Sequence, residues 1–167
     1  MPSSHYVNEL RAKVGHGLIM LSSATAMLFD DQRRVLLVQD ANSGNWITVG
    51  GAVDPDEAPS DAAVRECWEE LGMLVEPVRL IGVFGGPQFR TKYTNGDTVS
   101  YVVSMFEVRK VSGEPKPDNI EIEAFRYVAR EELPALQMTA GGRELIERAF
   151  DFDGSPYFSK PVWQPPR

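Results

Sequence analysis

Residues Gly51–Met73 read GAVDPDEAPSDAAVRECWEELGM, a glycine turn that runs into an acidic helix. Glu66, Glu69 and Glu70 are three and four positions apart, so they project from one side of a 3.6-residue helix. The same periodicity predicts a buried side on which this helix packs. That side is predicted to consist of Val64, Cys67, Trp68 and Leu71.

Three carboxylates on one helix face need a cation nearby, because like charges at this spacing destabilise an isolated helix. Arg65 supplies only one positive charge. A hard divalent cation would supply the rest, and carboxylate oxygens suit magnesium, manganese or calcium better than zinc. The alternative at this point is that the acidic residues form a solvated helix surface.

The complete pattern is G-x5-E-x7-R-E-U-x-E-E-x-G-U, where U is a bulky apolar residue filled here by Cys67 and Met73. It resembles the signature of the Nudix hydrolases. The resemblance is specific over the box and looser, but in keeping, from Gly17 to Ala149. The fixed positions that match are Gly51, Glu57, Arg65, Glu66, Glu69, Glu70 and Gly72.

The resemblance implies that Glu69 and Glu70 are the principal metal ligands, and that Glu66 is a further ligand or the base that takes a proton from water. Which glutamate is the general base stays open. The carbonyl of Gly50 is expected as another ligand, because a side chain in this turn would crowd the metal. Arg65 is expected to orient glutamates such as Glu57 through charge-assisted hydrogen bonds.

Relatives often take one more metal-binding carboxylate from beyond the box. Glu121 and Glu123 are the candidates in the stretch DNIEIEAFRYV, where alternation puts both on one face of a predicted strand. Glu121 is favoured because it precedes Tyr127 by six residues, the spacing associated with this ligand in relatives. An exposed carboxylate at a strand edge is the alternative for either residue.

Length and composition indicate one domain with a sizeable core, since 43% of the 167 residues are hydrophobic. The net charge of −7 argues against a non-specific nucleic-acid binder, which needs clustered lysine and arginine. No apolar stretch has the length of a membrane span. The lone cysteine, Cys67, cannot form an internal disulfide. We therefore expect a cytoplasmic protein with no membrane or nucleic-acid partner.

The order of predicted elements indicates an α/β protein of the α+β type. A strand pattern over 17–29 has a break at Ser22-Ser23, another strand covers 46–53, and Asn95-Gly96 favours a type I′ hairpin turn. The Nudix resemblance implies an α/β/α sandwich with a mixed central sheet and the box helix packed against it. The predicted organisation is an N-terminal helical extension (1–16), the hydrolase domain (17–150) and a proline- and aromatic-rich tail (151–167).

Candidate substrate contacts lie on the predicted hairpin. Arg90 and Lys92 could bind phosphates, and Phe89 and Tyr93 could stack on a base or sugar. Solvated surface charges and core packing are the alternatives for these four residues. Many relatives carry a basic residue after the second strand, where this chain has Gln39-Asp40. That departure disfavours a strongly anionic triphosphate substrate.

The resemblance thus implies a hydrolase that depends on Mg²⁺, with Mn²⁺ as a substitute. Its expected reaction cleaves the phosphoanhydride of a nucleoside diphosphate linked to another moiety, such as ADP-ribose or a nucleotide sugar. The products are a nucleoside monophosphate and a phosphorylated remainder. The alternatives are a pyrophosphohydrolase of modified nucleoside triphosphates and a non-catalytic domain that senses nucleotides. The N-terminal helix and the aromatic tail suggest a homodimer.

Overall fold

The computed structural model describes residues 5–166. Its elements follow one another in a mixed order of strands and helices, with two short 3-10 helices. They are α1 (His5–Val14), β1 (Leu18–Leu28), β2 (Val35–Asp40), β3 (Trp46–Ile47), β4 (Val49–Ala52), α2 (Pro59–Leu71), β5 (Leu74–Phe84), a 3-10 helix (Pro87–Phe89), β6 (Arg90–Lys92), β7 (Thr98–Ser112), β8 (Ile122–Val128), a second 3-10 helix (Arg130–Ala135) and α3 (Ala140–Phe150).

The strands form two sheets. The larger has the order β4-β1-β7-β5, with β6 paired to β7, and the smaller has the order β3-β2-β8. Strands β1 and β7 are parallel, whereas β1 pairs with β4, and β7 with β5, in the antiparallel sense. The larger sheet is therefore mixed, as the sequence predicts.

Strand β2 has a helix packed over each of its two faces. Leu36 and Val38 belong to the core cluster that includes the buried residues of α2. Val35 and Leu37 belong to a second cluster that includes Ile146 of α3. Because alternate residues of a strand point to opposite faces, this division confirms the α/β/α sandwich. No helix within residues 5–166 has both the length and the apolar character that crossing a membrane requires.

Helix α2 spans the residues that the sequence predicts, because local signals define both of its ends. Pro59 occupies the first turn, and Ala58 before it makes no side-chain cap. Gly72 adopts the left-handed conformation at φ 64°, and its N–H donates to the Trp68 carbonyl at 2.9 Å.

The buried side of α2 agrees with the prediction at Cys67 and Leu71, which are buried, and at Val64, which packs against the same cluster. Trp68 is wrong as a core residue, since it is 59% exposed. The helix instead packs its small alanines, Ala62 and Ala63, against the sheet and turns Glu66 and Glu70 inward. The helix therefore brings two carboxylates into the interior, while the indole stays on its solvent side.

Two predicted strand limits are also wrong. Strand β1 is continuous through Ser22-Ser23, because Ser22 pairs with Val102 and Ser23 pairs with both Val103 and Ala52. The predicted strand over 46–53 is two strands in different sheets, since β3 pairs with β2 and β4 pairs with β1. The chain changes sheets at Thr48, which is why one apolar run gives two elements.

The hairpin between β6 and β7 is antiparallel as predicted, but its turn is not type I′. That turn requires positive φ at both central residues, and only Gly96 of the pair has it, at 92°. The Tyr93 N–H donates to the Asp97 carbonyl at 2.8 Å, so the connection is longer than two residues. Asn95 accepts the Asp97 N–H through its side chain at 3.0 Å, which explains the different turn.

Both chain ends contact the sheet. Arg11 of α1 donates to the Thr98 carbonyl at 3.0 Å, where β7 begins. In the tail, the Tyr157 N–H donates to the Ile81 carbonyl at 2.7 Å, and its ring stacks on Phe84 with centroids 4.9 Å apart. Trp163 is 77% exposed. The tail is thus held at Tyr157 and extends outward beyond it.

Candidate active site

Two glutamates of α2 are buried one helical turn apart. Glu66 is 7% exposed and Glu70 is 4% exposed, whereas the side chain of Glu69 is 55% exposed. The Glu70 carboxylate accepts the N–H of Gly50, but its Oε2 is buried with no hydrogen-bond partner. A buried charge without a partner is costly, so this oxygen points to a missing cationic or proton-bearing group.

The glycine turn lets the backbone of β4 approach these carboxylates. Gly50 has φ 149°, and a Cβ there would lie 2.3 Å from the Ala24 carbonyl oxygen. A Cβ on Gly51 would lie 2.3 Å from Oε1 of Glu66. Both contacts are shorter than normal, but they differ in kind. The Cβ at Gly50 would meet fixed backbone, so glycine is required there, whereas the Cβ at Gly51 would meet the flexible end of a side chain, which can shift.

Arg65 connects the helix to the turn through a set of charge-assisted hydrogen bonds. Its Nε and Nη2 donate to the two carboxylate oxygens of Glu57 at 2.9 and 3.0 Å. Its Nη1 donates to Glu66 at 2.8 Å and to Glu69 at 2.9 Å, and Nη2 also donates to the Ala52 carbonyl at 3.0 Å. These hydrogen bonds lower the pKa of Glu57, and the rigid guanidinium fixes three carboxylates relative to β4.

The interior of the site favours protonated carboxyl groups. Burial raises the pKa of Glu66, and the neighbouring carboxylates of Glu69 and Glu121 raise it further, while Arg65 opposes the shift. Burial also raises the pKa of Glu70 well above its ordinary value, with added repulsion from Glu66 and Glu121. Glu121, distant in sequence, is therefore within electrostatic reach of both buried glutamates.

Glu121 lies in the loop before β8 rather than in the strand. Its carbonyl accepts the Ala41 N–H at 2.8 Å, which holds this loop against the end of β2. Burial raises the pKa of Glu121, and so do the carboxylates of Asp118, Glu69 and Asp40. Glu123, within β8, is exposed. The prediction that both glutamates lie in one strand is therefore wrong for Glu121.

Asp118 is a residue of the site that the sequence motifs did not indicate. It lies in the polar loop between β7 and β8, and its side chain accepts backbone N–H groups from the residues that follow it. The available signal was the pair Asp118-Asn119, since aspartate and asparagine form side-chain turns of this kind.

The donor set fits a hard cation by its chemistry. Glu66, Glu69, Glu70 and Glu121 offer carboxylate oxygens, which suit magnesium or manganese. Among residues 5–166, no three acidic, histidine or cysteine side chains converge as a preformed metal centre. Glu66 and Glu69 share the Arg65 guanidinium instead, so binding a cation requires these side chains to reorient toward Glu70 Oε2.

The candidate substrate contacts are spread over the hairpin. Phe89 is buried beside Phe84, with ring centroids 6.1 Å apart, so its ring is occupied by core packing. Arg90 and Lys92 are exposed on β6, and the Tyr93 hydroxyl lies 2.5 Å from that of Tyr101.

The strand register separates this hairpin from the glutamates. Arg90 pairs with Ser100, and Ser100 with Met20, whereas Gly51 pairs with Ala24. Met20 and Ala24 are four residues apart on β1, which is about 13 Å along a strand. The register therefore does not bring Arg90 and Lys92 together with the glutamates.

Comparison with known proteins identifies a family and several relatives. A family model described as the NUDIX domain matches residues 21–149. The chain is 31% identical over 102 residues to a diphosphoinositol polyphosphate phosphohydrolase of Homo sapiens, a match that covers 60% of this chain and 54% of that protein. The chain spans about half the length, or less, of the curated relatives that it matches first.

Solved structures share the fold. A MutT NUDIX hydrolase from Burkholderia pseudomallei aligns with a TM-score of 0.63 at 28% identity, covering 78% of this chain and 98% of that one. An ADP-ribose pyrophosphatase from Streptococcus suis aligns with a TM-score of 0.58 at 24% identity, covering 83% of this chain and 96% of that one. The second likeness, at this identity, concerns the fold alone.

Proposed function

Because the chain belongs to the NUDIX family, we propose that it is a magnesium-dependent hydrolase of a nucleoside diphosphate linked to another moiety, such as ADP-ribose or a nucleotide sugar. It cleaves the phosphoanhydride to give a nucleoside monophosphate and a phosphorylated remainder. The observation that carries the proposal is the buried Glu70 Oε2 without a partner, beside a second buried glutamate on the same helix.

Glu69 and Glu70 are the proposed principal ligands of Mg²⁺ or Mn²⁺, with Glu66, Glu121 and the Gly50 carbonyl as further ligands. When bound, the cation neutralises phosphate charge and makes an attacking water more acidic. The acidic groups around Glu70 support this assignment, because burial raises the pKa of Glu66, Glu70 and Glu121, and the charge of neighbouring carboxylates raises it further. A divalent cation would relieve that repulsion.

In the proposed reaction, one bond forms, one bond breaks and one proton is transferred. The oxygen of water forms a bond to one phosphorus, the anhydride P–O bond breaks, and its electron pair leaves with the bridging oxygen. One carboxylate among Glu66, Glu69 and Glu70 takes the proton of the water, and we leave that choice open. Glu66 and Glu70 are the buried members of this set, and burial raises the pKa of each in the metal-free protein. Arg65 holds Glu66 and Glu69 in register with the turn.

The charge around the site supports a diphosphate rather than a more anionic substrate. Asp40 and Asp118 add to the negative field at Glu121, and a third phosphate would meet that field without a cation of its own. Arg90, Lys92 and Tyr93 remain proposed contacts for the distal moiety, and a cytoplasmic location remains part of the proposal.

The test is a substrate panel assayed with Mg²⁺ and analysed for products. It contains ADP-ribose, nucleotide sugars, dinucleotides, nucleoside triphosphates and a diphosphoinositol polyphosphate. Glu69→Gln and Glu70→Gln should each lower turnover by at least ~100-fold with the fold intact. Release of pyrophosphate from triphosphates would favour the alternative enzyme. Metal-dependent binding with no turnover of any compound would favour a sensing domain.

A further inference from the structure

Asp118 holds the loop that carries Glu121. Its Oδ1 accepts the N–H groups of Ile120, Glu121 and Ile122, each at 3.0 Å. Its Oδ2 makes a single longer contact, 3.3 Å to the Glu121 N–H. The turn also places Asn119 in the left-handed region at φ 59°. One oxygen of one side chain thus orders three consecutive residues around Glu121.

The backbone of the same loop binds the end of α2. The Asp118 N–H donates to the Glu70 carbonyl at 3.2 Å, and the Lys116 N–H donates to the Leu71 carbonyl at 2.9 Å. Carbonyls in the last turn of a helix have no partner within the helix. This loop supplies a backbone donor to each of these two carbonyls. Asp118 therefore contacts the turn that carries Glu70 through its backbone and the Glu121 segment through its side chain.

We propose that Asp118 is a positioning residue that sets the separation of the Glu121 and Glu70 carboxylates. The inference rests on the proposed function, in which both glutamates bind the cation. Residues that hold metal ligands in place through hydrogen bonds, without binding the metal, commonly lower metal affinity by about 10–100-fold when they are substituted. Asp118 has the required connections on both sides of the site, and Asp118 need not touch the metal itself.

The unequal use of the two Asp118 oxygens gives a sharp test. Asp118→Asn keeps an oxygen at the Oδ1 position and loses only the longer contact and the charge. Asp118→Ala removes every acceptor, and the three N–H groups must find water. Positioning therefore predicts that asparagine rescues the site and alanine does not, whereas a purely electrostatic role predicts that both variants fail alike.

The experiment measures Mn²⁺ affinity of the full chain by electron paramagnetic resonance titration, together with hydrogen exchange of residues 119–122. Asp118→Ala should weaken Mn²⁺ binding by about 10–100-fold and abolish the exchange protection of this segment. Asp118→Asn should remain much closer to the parent in both measurements. Asp153→Ala is the matched control, because Asp153 makes a similar turn with the Ser155 N–H at 2.9 Å in the tail.

Glu121→Gln separates the two proposals. If it leaves Mn²⁺ affinity unchanged, the ligand role of Glu121 in the proposed function fails, and Asp118 loses its purpose. If Glu121→Gln weakens binding while Asp118→Ala does not, the ligand role stands and the positioning role is refuted. Equal losses for Asp118→Ala and Asp118→Asn would likewise refute positioning through hydrogen bonds.

Discussion

At Glu70, the stability of the metal-free fold and the proposed metal-binding role make opposite demands. Its carboxylate is buried, accepts one N–H from Gly50, and leaves Oε2 without a partner. Burying a carboxylate without a partner destabilises its charged state and lowers the stability of the fold. A residue that harms the isolated fold in this way is more readily explained by function than by stability.

Neutralising Glu70 should stabilise the metal-free protein at neutral pH. The pKa of Glu70 is raised by folding, so the group costs nothing below its unfolded pKa, near the ordinary 4.5. The cost grows as pH rises above that unfolded pKa and is complete once pH exceeds the folded pKa, where the buried carboxyl must ionise. We expect Glu70→Gln to raise Tm at pH 7 by at least ~2–4 °C, the shift that about 1 kcal/mol produces in a domain of this size.

Thermal unfolding in a chelator, at pH 7 and below pH 4.5, checks this expectation. The gain of Glu70→Gln should shrink as pH falls. Glu69→Gln is the matched control, since the Glu69 side chain is 55% exposed and should change metal-free stability little. A lower Tm for Glu70→Gln at neutral pH would show that its carboxylate is already compensated.

Arg65 should matter to stability and to turnover together. Arg65→Ala leaves Glu57 without its paired donors and frees Glu66 and Glu69, so we expect a loss of at least ~2 kcal/mol. Arg65→Lys keeps the charge but cannot reproduce the two parallel bonds to Glu57. Urea unfolding and turnover of the three proteins measure both effects, and full activity in a well-folded Arg65→Ala protein would refute the orienting role.

At the scale of elements, two adjacent glycines of β4 have different roles. Gly50 is needed for folding, and Gly51 leaves space for the Glu66 side chain. Gly50→Ala places a Cβ against the backbone of Ala24 at a φ that only glycine adopts readily. Gly51→Ala places a Cβ against the flexible end of the Glu66 side chain. The first clash cannot relax, whereas the second can relax by moving Glu66, a residue of the proposed site.

We therefore expect Gly50→Ala to lower stability by several kcal/mol, since a strained φ alone costs about 1–3 kcal/mol. Gly51→Ala should stay within about 1 kcal/mol of the parent and lose about 100-fold in turnover, a cost typical of displacing a catalytic group by on the order of 1 Å. Circular dichroism melts and kcat measurements decide. The opposite ranking of the two variants would contradict the assigned geometry.

Helix α2 and the sheet around it show what a sequence can predict. Pro59 and Gly72 are local signals, and they gave both ends of α2. The 3.6-residue period also predicted the packing of Val64, Cys67 and Leu71, but it could not tell that Glu66 and Glu70 are buried and Trp68 is not. Trp68, a large apolar residue at core spacing, is found in solvent.

The candidate site divides in the same way. The box identified Glu66, Glu69, Glu70 and Arg65 because their spacing is the signal itself. Asp118 carries no such signal, since its role depends on a loop meeting the end of a helix nearly fifty positions earlier in the chain. The use of Phe89 in the core was likewise not decidable, because an aromatic residue near a turn suits stacking and packing equally.

For the whole molecule, the tail offers a prediction about stability. Removing residues 160–167 should leave Tm unchanged, because the described part of that segment is exposed. Tyr157→Ala removes a ring stacked between Phe84 and the Arg148 guanidinium, and should cost about 1–2 kcal/mol. Thermal melts compare the two changes, and an unchanged Tm for Tyr157→Ala would show that the tail is not anchored there.

The same segment tests the proposed homodimer. Val162 and Trp163 are 94% and 77% exposed, and large apolar side chains in this state favour a protein contact. We expect light scattering to give a dimer mass for the full chain and a monomer mass after removal of residues 160–167. A monomer mass for the full chain would exclude the dimer.

The parallel pairing of β1 with β7 also bears on how the protein is made. It joins residue 18 to residue 98 and residue 28 to residue 108, a constant separation of 80 positions. Closing a loop of that length costs on the order of 4 kcal/mol in chain entropy. The Nudix box lies inside the loop, so a ribosome releases helix α2 before the strand that completes the sheet under it. Until β7 emerges, β1 can pair only with β4, and a two-stranded pair is marginally stable alone. The acidic helix α2 therefore has no complete sheet to pack against until β7 is synthesised.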